Sequence, residues 1–239
     1  MPPTTIVPDP IIAADGATDA SPLRVAVMSD AQFVARNPDS DLVAGARRAL
    51  REIVAADPDV LVINGDFVDE ASPADFALAR SILDEELAGT DFPWYYVPGN
   101  HEIMGGDIAN FEQAFGENSR VVDQQGTRLI MLDSSTGSLS AKFDQIEMFR
   151  DALADAATDP AVTGVVLLQH HPLDDPLATK SSQLANRSDA ALVRDWLERF
   201  RESSGKSAAF VGSHVGVFHA TREDGIPYLI NGNSGKAPA

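Results

Sequence analysis

The chain has 239 residues, no cysteine and a formal net charge of −18 at pH 7, from 18 basic and 36 acidic side chains. This acidity argues against duplex nucleic acid as the main partner, because phosphates attract surfaces rich in lysine and arginine. The absence of cysteine excludes disulfides, thiolate zinc sites and a cysteine nucleophile. No segment approaches the roughly 18 consecutive apolar residues that indicate a membrane span.

Residues 1–22 are rich in Pro, Ala, Asp and Thr and lack periodicity, which predicts a linker or flexible N-terminal arm. Residues 23–239 form the expected domain, in which short apolar runs alternate with helical patterns. Strands are predicted at 24–29, 60–64, 94–97, 127–132, 164–169, 207–211, 216–220 and 227–230. Helices are predicted at 42–56, 72–87, 107–115, 142–156 and 189–200. This alternation indicates a layered α/β fold, and the closing strands, which follow one another without helices, indicate a partly antiparallel or mixed sheet.

Five of the predicted strands are followed by polar residues of the kind that bind metal ions. These residues are Asp30, Asp66, Asn100 with His101, His170 with His171, and His214. In α/β sheets, ligands bind at the carboxyl ends of the strands. Ordinary loop polarity explains any one of these residues alone, but the equivalent position of all five favours a metal site with oxygen and imidazole ligands.

The polar residues belong to five ordered sequence blocks. They read SDAQ at 29–32, GDFVD at 65–69, GNHE at 99–102, HHP at 170–172 and SHVG at 213–216. These blocks resemble the motifs D-x-H, G-D-x-x-D/R, G-N-H-D/E, H-x-P and G-H-x-H of the calcineurin-like metallophosphoesterases. The resemblance covers most of the chain and implies the fold of that family, an α-β-β-α sandwich of mixed sheets with the helices outside.

Two of the blocks depart from the family pattern. Gln32 stands where the first block usually has a histidine. In the last block, one register aligns His214 with the first histidine and leaves Gly216 at the second. The other register aligns Gly212 with the glycine and leaves Ser213 at the first histidine. We prefer the first register, because it keeps a histidine at the position that completes the better-preserved metal site.

The resemblance implies a centre of two divalent metal ions, with Mn, Mg, Fe and Zn as candidates. The ligands of one metal would be Asp66, Asn100, His170 and His214. The other metal would have Asp30, Gln32 and the bridging Asp66, so we expect it to bind more weakly. Within the catalytic set of His101, Asp66 and Asn100, His101 would act as acid or transition-state stabiliser. Asp69 and Glu102 would support the loops around them.

The implied reaction is hydrolysis of a phosphate ester by metal-activated hydroxide, with a small-molecule or other phosphodiester favoured over a phosphomonoester as substrate. The departures at Gln32 and Gly216 motivate an alternative hypothesis. The chain would then be a catalytically weakened one-metal module that serves binding or structure beside other domains of a larger surface protein. The sequence leaves the compartment open between an extracellular or cell-surface location and the cytoplasm.

Overall fold

The computed structural model describes residues 22–104, 108–177 and 180–235, so all but the last residue of the expected linker lies outside the described residues. The described strands are β1 (Val25–Met28), β2 (Val60–Asn64), β3 (Trp94–Val97), β4 (Arg120–Gln124), β5 (Thr127–Met131), β6 (Gly164–Leu168), β7 (Ser207–Gly212), β8 (His219–Glu223) and β9 (Ile226–Ile230). The described helices are α1 (Asp41–Ala56), α2 (Pro73–Glu86), α3 (Ile108–Phe115), α4 (Phe143–Thr158) and α5 (Arg187–Ser204).

The strands form two sheets of different character. The first sheet has the order β1-β2-β3 and is entirely parallel. The second has the order β4-β5-β6-β7-β9-β8, in which the four inner strands are parallel and each edge strand is antiparallel to its neighbour. Because parallel strands end at the same edge of a sheet, the loops that follow them are brought together there.

Three apolar layers hold these elements in a sandwich. Val62, Met131 and Leu168 belong to the layer between the two sheets. A second layer packs α1, α2 and α3 against the outer face of the first sheet. A third packs α4 and α5 against the outer face of the second sheet. The expected α-β-β-α sandwich of mixed sheets is therefore confirmed.

Local sequence signals set the ends of several helices. Ser72 and Asp75 form a capping box at the start of α2, and Pro73 occupies the first turn, where a missing N–H costs nothing. Asn186 caps α5 by accepting hydrogen bonds from two backbone N–H groups. Gly205 ends the same helix in a left-handed conformation, with φ of 69°.

The structure corrects the predicted strand pattern in two places. Strand β4 was not predicted, because its sequence RVVDQ mixes charged and apolar residues as an edge strand does. It joins β5 through a turn at Gln125 and Gly126, whose φ values of 46° and 78° are typical of a hairpin. The strand predicted at 216–220 is misplaced, because Gly216 has a φ of 83° and forms a turn, so that β8 begins only at His219.

No helix in the described residues is both long enough and apolar enough to cross a membrane.

Candidate metal centre

The loops that follow β1, β2, β6 and β7 are bonded directly to one another. The backbone N–H groups of Asp30 and Gln32 donate to the carbonyl oxygens of Gly65 and Asp66, both at 3.1 Å. In the second sheet, the N–H of Ser213 donates to the carbonyl of His170 at 2.8 Å. These bonds extend the strand pairing past the ends of the strands, and they fix the backbone of the candidate ligands.

Several hydrogen bonds join the two sheets at this edge, and three of them involve Asn64. Asn64, the last residue of β2, donates from Nδ2 to the carbonyl of Gln169 at 2.9 Å. Since Asn64 precedes Asp66 and Gln169 precedes His170, this bond sets the separation of the two candidate ligands. In the sequence, the only sign of this bond is the polar residue Asn64 at the end of an otherwise apolar strand.

The centre of the site is the carboxylate of Asp66. Its Oδ2 lies 3.0 Å from Nε2 of His170 and 3.9 Å from Nδ1 of His214. The two imidazole nitrogens are themselves 3.1 Å apart. Ligand atoms of the three residues all lie within 4.8 Å of one another, which is close enough to share one metal ion. The side chains of Asp66 and His170 are only 1% and 0% exposed.

The side chain of Asn100 indicates whether the cluster of Asp66, His170 and His214 would accommodate a cation. Its Oδ1 is buried and has no hydrogen-bond partner among the described residues. The next residue, His101, donates its N–H to Oδ1 of Asp66 at 3.0 Å, which places Asn100 beside the cluster. A buried carbonyl oxygen without a partner is costly, whereas a divalent cation would satisfy it. Asp66, Asn100, His170 and His214 together therefore fit a divalent metal ion.

The buried carboxylates of the cluster also affect the protonation of His170. Burial alone would lower the pKa of His170, but the negative charges of Asp66 and Asp30 outweigh it and raise the pKa to about 9. The pKa of Asp66 lies well below its ordinary value, because His170 and the neighbouring histidines outweigh its burial. His170 Nδ1 donates to the carbonyl of Asn64 at 2.8 Å, so Nε2 faces Asp66. A proton on His170 thus supplies positive charge at the place where a cation would.

Asp30 and Gln32, the candidate ligands of the second metal, can offer a cation only oxygen atoms, and Gln32 would do so with its amide turned so that Oε1 replaces Nε2. Gln32 donates from Nε2 to Oδ2 of Asp66 at 3.2 Å, and Asp30 accepts from the N–H of His214 at 3.3 Å. Burial raises the pKa of Asp30, and the charge of Asp66 adds to this effect, while His170 opposes it. Gly216 has no side chain to offer. An oxygen-only shell suits Mg²⁺, Mn²⁺ or Ca²⁺ better than zinc.

The geometry of the last block favours the register that uses His214. The hydroxyl of Ser213 accepts a hydrogen bond from Nδ2 of Asn64 at 2.7 Å and donates to Asn231. Ser213 is fully buried in this network and not at the cluster. His214 lies at the cluster, and its ring packs against the ring of His171 with the centroids 4.4 Å apart.

His101 lies beside the cluster, with Nε2 3.8 Å from Oδ2 of Asp66. Its other ring nitrogen, Nδ1, lies 2.9 Å from the backbone carbonyl of Asp69 and 3.2 Å from the carboxylate of that residue. With Nδ1 donating to Asp69, Nε2 faces the cluster. Its side chain is 17% exposed, so a molecule bound at the cluster could reach it.

Glu102 holds the two loops of the first sheet together. Its carboxylate accepts hydrogen bonds from the N–H groups of Asp66 at 2.8 Å, Phe67 at 3.0 Å and Gly99 at 2.6 Å, and from the hydroxyl of Tyr96 at 2.6 Å. The residue is fully buried. Burial, and then the charge of Asp66, raise the pKa of Glu102, whereas its hydrogen bonds oppose this. This carboxylate therefore positions Asp66 and Asn100 without facing the cluster itself.

Close backbone approach explains two glycines of the site. A Cβ atom on Gly65 would lie 2.8 Å from Cα of Gly99, and one on Gly99 would lie 2.7 Å from Cδ2 of His170. Distances below about 3 Å do not occur for real Cβ contacts. The glycines of the second and third sequence blocks thus allow the two sheets to meet at His170.

Backbone strain is concentrated at the candidate ligands. Among the described non-glycine residues with positive φ, Asp57 ends a helix, and Gln125 and Asp224 lie in hairpin turns. The remaining four are candidate ligands: Asp30 (56°), Gln32 (50°), Asp66 (54°) and His214 (71°). Left-handed conformations cost a non-glycine residue about 1–2 kcal/mol each and cluster at functional sites.

A second network, which the sequence did not reveal, supports Asp30. Asn231 follows β9 and donates from Nδ2 to the hydroxyl of Ser29 at 2.8 Å, and that hydroxyl donates to the carboxylate of Asp30. Ser29 and Asn231 are 202 residues apart in the chain. No local pattern could have predicted a contact of this range.

Comparisons with known proteins agree with this geometry. The model of the calcineurin-like phosphoesterase family matches residues 23–218. The chain belongs to this family.

Two curated relatives are similar to this chain. It is 31% identical, over 61% of its length, to a probable cyclic nucleotide phosphodiesterase of Rhodococcus erythropolis. It is 26% identical, over 77% of its length, to a cAMP/cGMP dual specificity phosphodiesterase of Mycobacterium tuberculosis. The chain spans 50% and 65% of the lengths of these two relatives.

The fold is shared with a dimetal phosphatase from Danio rerio. The two structures superimpose with a TM-score of 0.66 over 90% of this chain and 89% of the other, at 12% sequence identity. At that identity the likeness concerns the fold alone.

Replacing Glu102 with Gln should destabilise the protein and weaken its metal site. The amide NH₂ would face backbone N–H groups that now donate to a carboxylate, so at least one buried donor loses its partner, at about 1–3 kcal/mol. Urea unfolding and a Mn²⁺ titration by calorimetry would measure both effects. Glu52→Gln, on the exposed face of α1, is the matched control and should change neither. A Glu102→Gln protein with wild-type metal affinity would contradict the positioning role.

The raised pKa of His170 predicts a pH-dependent stability for chelator-treated protein. The folded-state pKa of about 9 lies above the ordinary 6.5, so this stabilisation is complete below pH 6.5 and is lost as the pH rises through 9. Over this pH range the free energy of unfolding should fall by about 3 kcal/mol. Urea unfolding in EDTA at both pH values would measure it. His170→Gln should flatten the pH dependence, whereas His219→Gln should retain it, and identical slopes in these two variants would refute the assignment.

Proposed function

We propose that this protein hydrolyses phosphodiesters at a centre of two divalent metal ions of unequal affinity. The tighter metal would be held by Asp66, Asn100, His170 and His214. The weaker would be held by Asp30, Gln32 and the shared Asp66. The observation that carries this proposal is the convergence of Asp66, His170 and His214 within 4.8 Å, beside the buried Oδ1 of Asn100, which has no partner in the part of the chain that the structure describes.

When bound, such a pair of cations supplies electrophilic stabilisation of the phosphoryl oxygens and an activated water. The chain itself supplies orientation and a proton. Asp69 accepts the hydrogen bond of His101 Nδ1, which leaves Nε2 free to hold a proton on the side of the cluster. From there His101 would protonate the oxygen of the departing alcohol, or stabilise charge on the phosphoryl group in the transition state.

Two observations support a phosphodiester over a phosphomonoester. In the described part of the chain, no lysine or arginine forms an ion pair or hydrogen bond with Asp30, Asp66, His101, His170 or His214. A monoester dianion would therefore depend on the cations alone, whereas a diester carries a single negative charge to be neutralised. The two relatives described above are both named as cyclic nucleotide phosphodiesterases, which act on diesters.

The first test is hydrolysis of bis(p-nitrophenyl) phosphate by chelator-stripped protein titrated with Mn²⁺. We expect metal-dependent turnover that falls by about 10²–10⁴-fold in His101→Ala, the range for loss of a general acid. Metal content should stay unchanged, because His101 is outside the proposed ligand set. His219→Ala is the matched control and should retain the wild-type rate. Absence of turnover with any divalent metal, on this diester and on p-nitrophenyl phosphate, would favour a weakened one-metal module instead.

The proposed difference in affinity between the two metal sites gives a second prediction. Asp30→Asn should abolish the weaker binding event and preserve the tighter one, since Asp30 belongs only to the oxygen-rich shell. Asn100→Ala should instead weaken the tighter event. Calorimetric Mn²⁺ titration, with metal content measured independently, separates the two. Loss of both events in Asp30→Asn protein that is folded by circular dichroism would show that the two sites are not independent in this way.

A further inference from the structure

A cavity of about 550 Å³ lies at the amino ends of the central strands of the second sheet. It is lined by the first residues of β6 and β7, by the last turn of α5 and by the hairpin that joins β8 to β9. The candidate metal centre lies at the carboxyl ends of the same strands, so the length of β6, about 16 Å, separates the two. The volume of the cavity falls in the range of small-molecule pockets.

The charge of the cavity lining is opposite to that of the whole chain. Arg201 and Arg222 line the cavity, and among the described residues no aspartate or glutamate does so. Acidic side chains outnumber basic ones by 36 to 18 in the chain, so a lining whose charged groups are all basic is not what the composition predicts. A positive cavity on an acidic protein favours an anionic ligand.

Both guanidinium groups are held by the same turn. Nη1 of Arg201 donates to the backbone carbonyl of Asp224 at 3.0 Å, and Nη1 of Arg222 donates to that of Gly225 at 3.1 Å. These two carbonyls belong to consecutive residues, so the two Nη1 atoms lie within about 12 Å of each other. The hairpin therefore orients both side chains, and one small molecule can contact both.

The glycine of the turn lets Arg201 lie against the backbone. Gly225 has a φ of 80°, a left-handed conformation that glycine adopts readily in a hairpin. A Cβ atom at this position would lie 2.5 Å from Nη2 and 2.7 Å from Cζ of Arg201. Any other residue at position 225 would thus displace the guanidinium group from its place at the cavity.

No carboxylate in the described part of the chain neutralises either arginine. Glu223, which is next to Arg222 in sequence, pairs instead with Arg194. Each guanidinium group has five N–H donors, and the bonds to the turn use one of them. The other donors can bind an oxyanion, which a planar guanidinium group holds through two parallel hydrogen bonds.

Apolar side chains form another part of the lining. Val166, Ala209 and Pro227 are partly buried and line the cavity together with the arginines. A bare inorganic ion would fill only a small part of the volume and would leave these side chains in water. An organic ligand could place an apolar part against them while its anionic group meets the arginines.

We propose that this cavity binds an organic oxyanion, a phosphate or a carboxylate attached to an apolar body, at Arg201 and Arg222. Both groups present paired oxygen atoms to a guanidinium group, so the chemistry that recognises them is shared. The proposal does not depend on the proposed function, because none of the candidate metal ligands lines the cavity.

The test uses three probes that carry a phenyl ring: phenylphosphonate, benzoate and benzyl alcohol. Each is titrated into ¹⁵N-labelled, EDTA-treated protein while amide chemical shifts are followed. We expect both anions to shift the amide signals of Gly164, Ser207 and Gly225, and the uncharged alcohol to shift none of them. Tighter binding of phenylphosphonate than of benzoate would identify phosphates as the ligand class, and the reverse order would identify carboxylates.

Variants of the two arginines show whether these side chains bind the anion. Arg222→Gln and Arg201→Gln should each weaken binding of the preferred anion about 10-fold, because each removes a charge-assisted contact. Arg222 is exposed on the edge strand β8, so its replacement should leave urea unfolding unchanged. Arg48→Gln is the matched control, since Arg48 is an exposed arginine of α1. This control should bind both anions as the wild-type protein does.

Three outcomes would overturn the proposal. The first is wild-type affinity for both anions in Arg201→Gln and Arg222→Gln. The second is a set of anion-induced shifts confined to Asp66, His101 and His170, which would place the bound anion at the metal centre. The third is an equal loss of affinity in Arg48→Gln and Arg222→Gln, which would indicate unspecific attraction of anions to arginine.

Discussion

The contact between Asp66 and His170 is the interaction on which the site depends. The two side chains lie 3.0 Å apart and are almost completely removed from water. A buried carboxylate is tolerated only beside positive charge or strong donors. Every nearby element contributes to meeting this requirement: Glu102 fixes the backbone of Asp66, Asn64 orients the imidazole, and two glycines allow the sheets to approach. The site thus contains a buried negative charge that a proton on His170 neutralises in part and that a divalent cation would neutralise more fully.

The need to stabilise this buried carboxylate also explains where the chain departs from local backbone and hydrogen-bonding preferences. Four candidate ligands adopt left-handed backbone conformations that no cap or hairpin requires, and Asn100 has a buried oxygen with no partner within residues 22–104, 108–177 and 180–235. A natural chain retains such unfavourable features where function requires them, and the stability lost must come from elsewhere. Here it comes from three apolar layers, whose strands and capped helices follow their local preferences. Strain and unsatisfied polarity therefore mark the centre independently of any sequence motif.

The features that could be predicted from the sequence are those determined by residues close to one another in the chain. The parallel strands, their carboxyl-end polar residues and the capped helix at Ser72 could be assigned from patterning, and the sandwich from the family resemblance. Strand β4 could not, because an edge strand needs no apolar pattern. The bond from Asn231 to Ser29, across 202 residues, and the hydrogen bonds that the carboxylate of Glu102 accepts depend on the folded arrangement alone. The sequence thus named the three residues that the structure brings together, Asp66, His170 and His214, but not the contacts that position them.

Under the proposed function, the charge distribution would couple metal binding to substrate binding. The described partners of the cluster include no lysine or arginine, and the chain as a whole is strongly acidic. An anionic substrate would meet net repulsion until cations reverse the local potential. Conversely, in the proposed two-metal centre a phosphate oxygen would add to the few ligands that Asp30 and Gln32 would offer the weaker metal. By linkage, each must raise the affinity of the other. Under the proposed function, a glycine at position 216 would then be compatible with catalysis, because a bound substrate would complete the shell of the second metal.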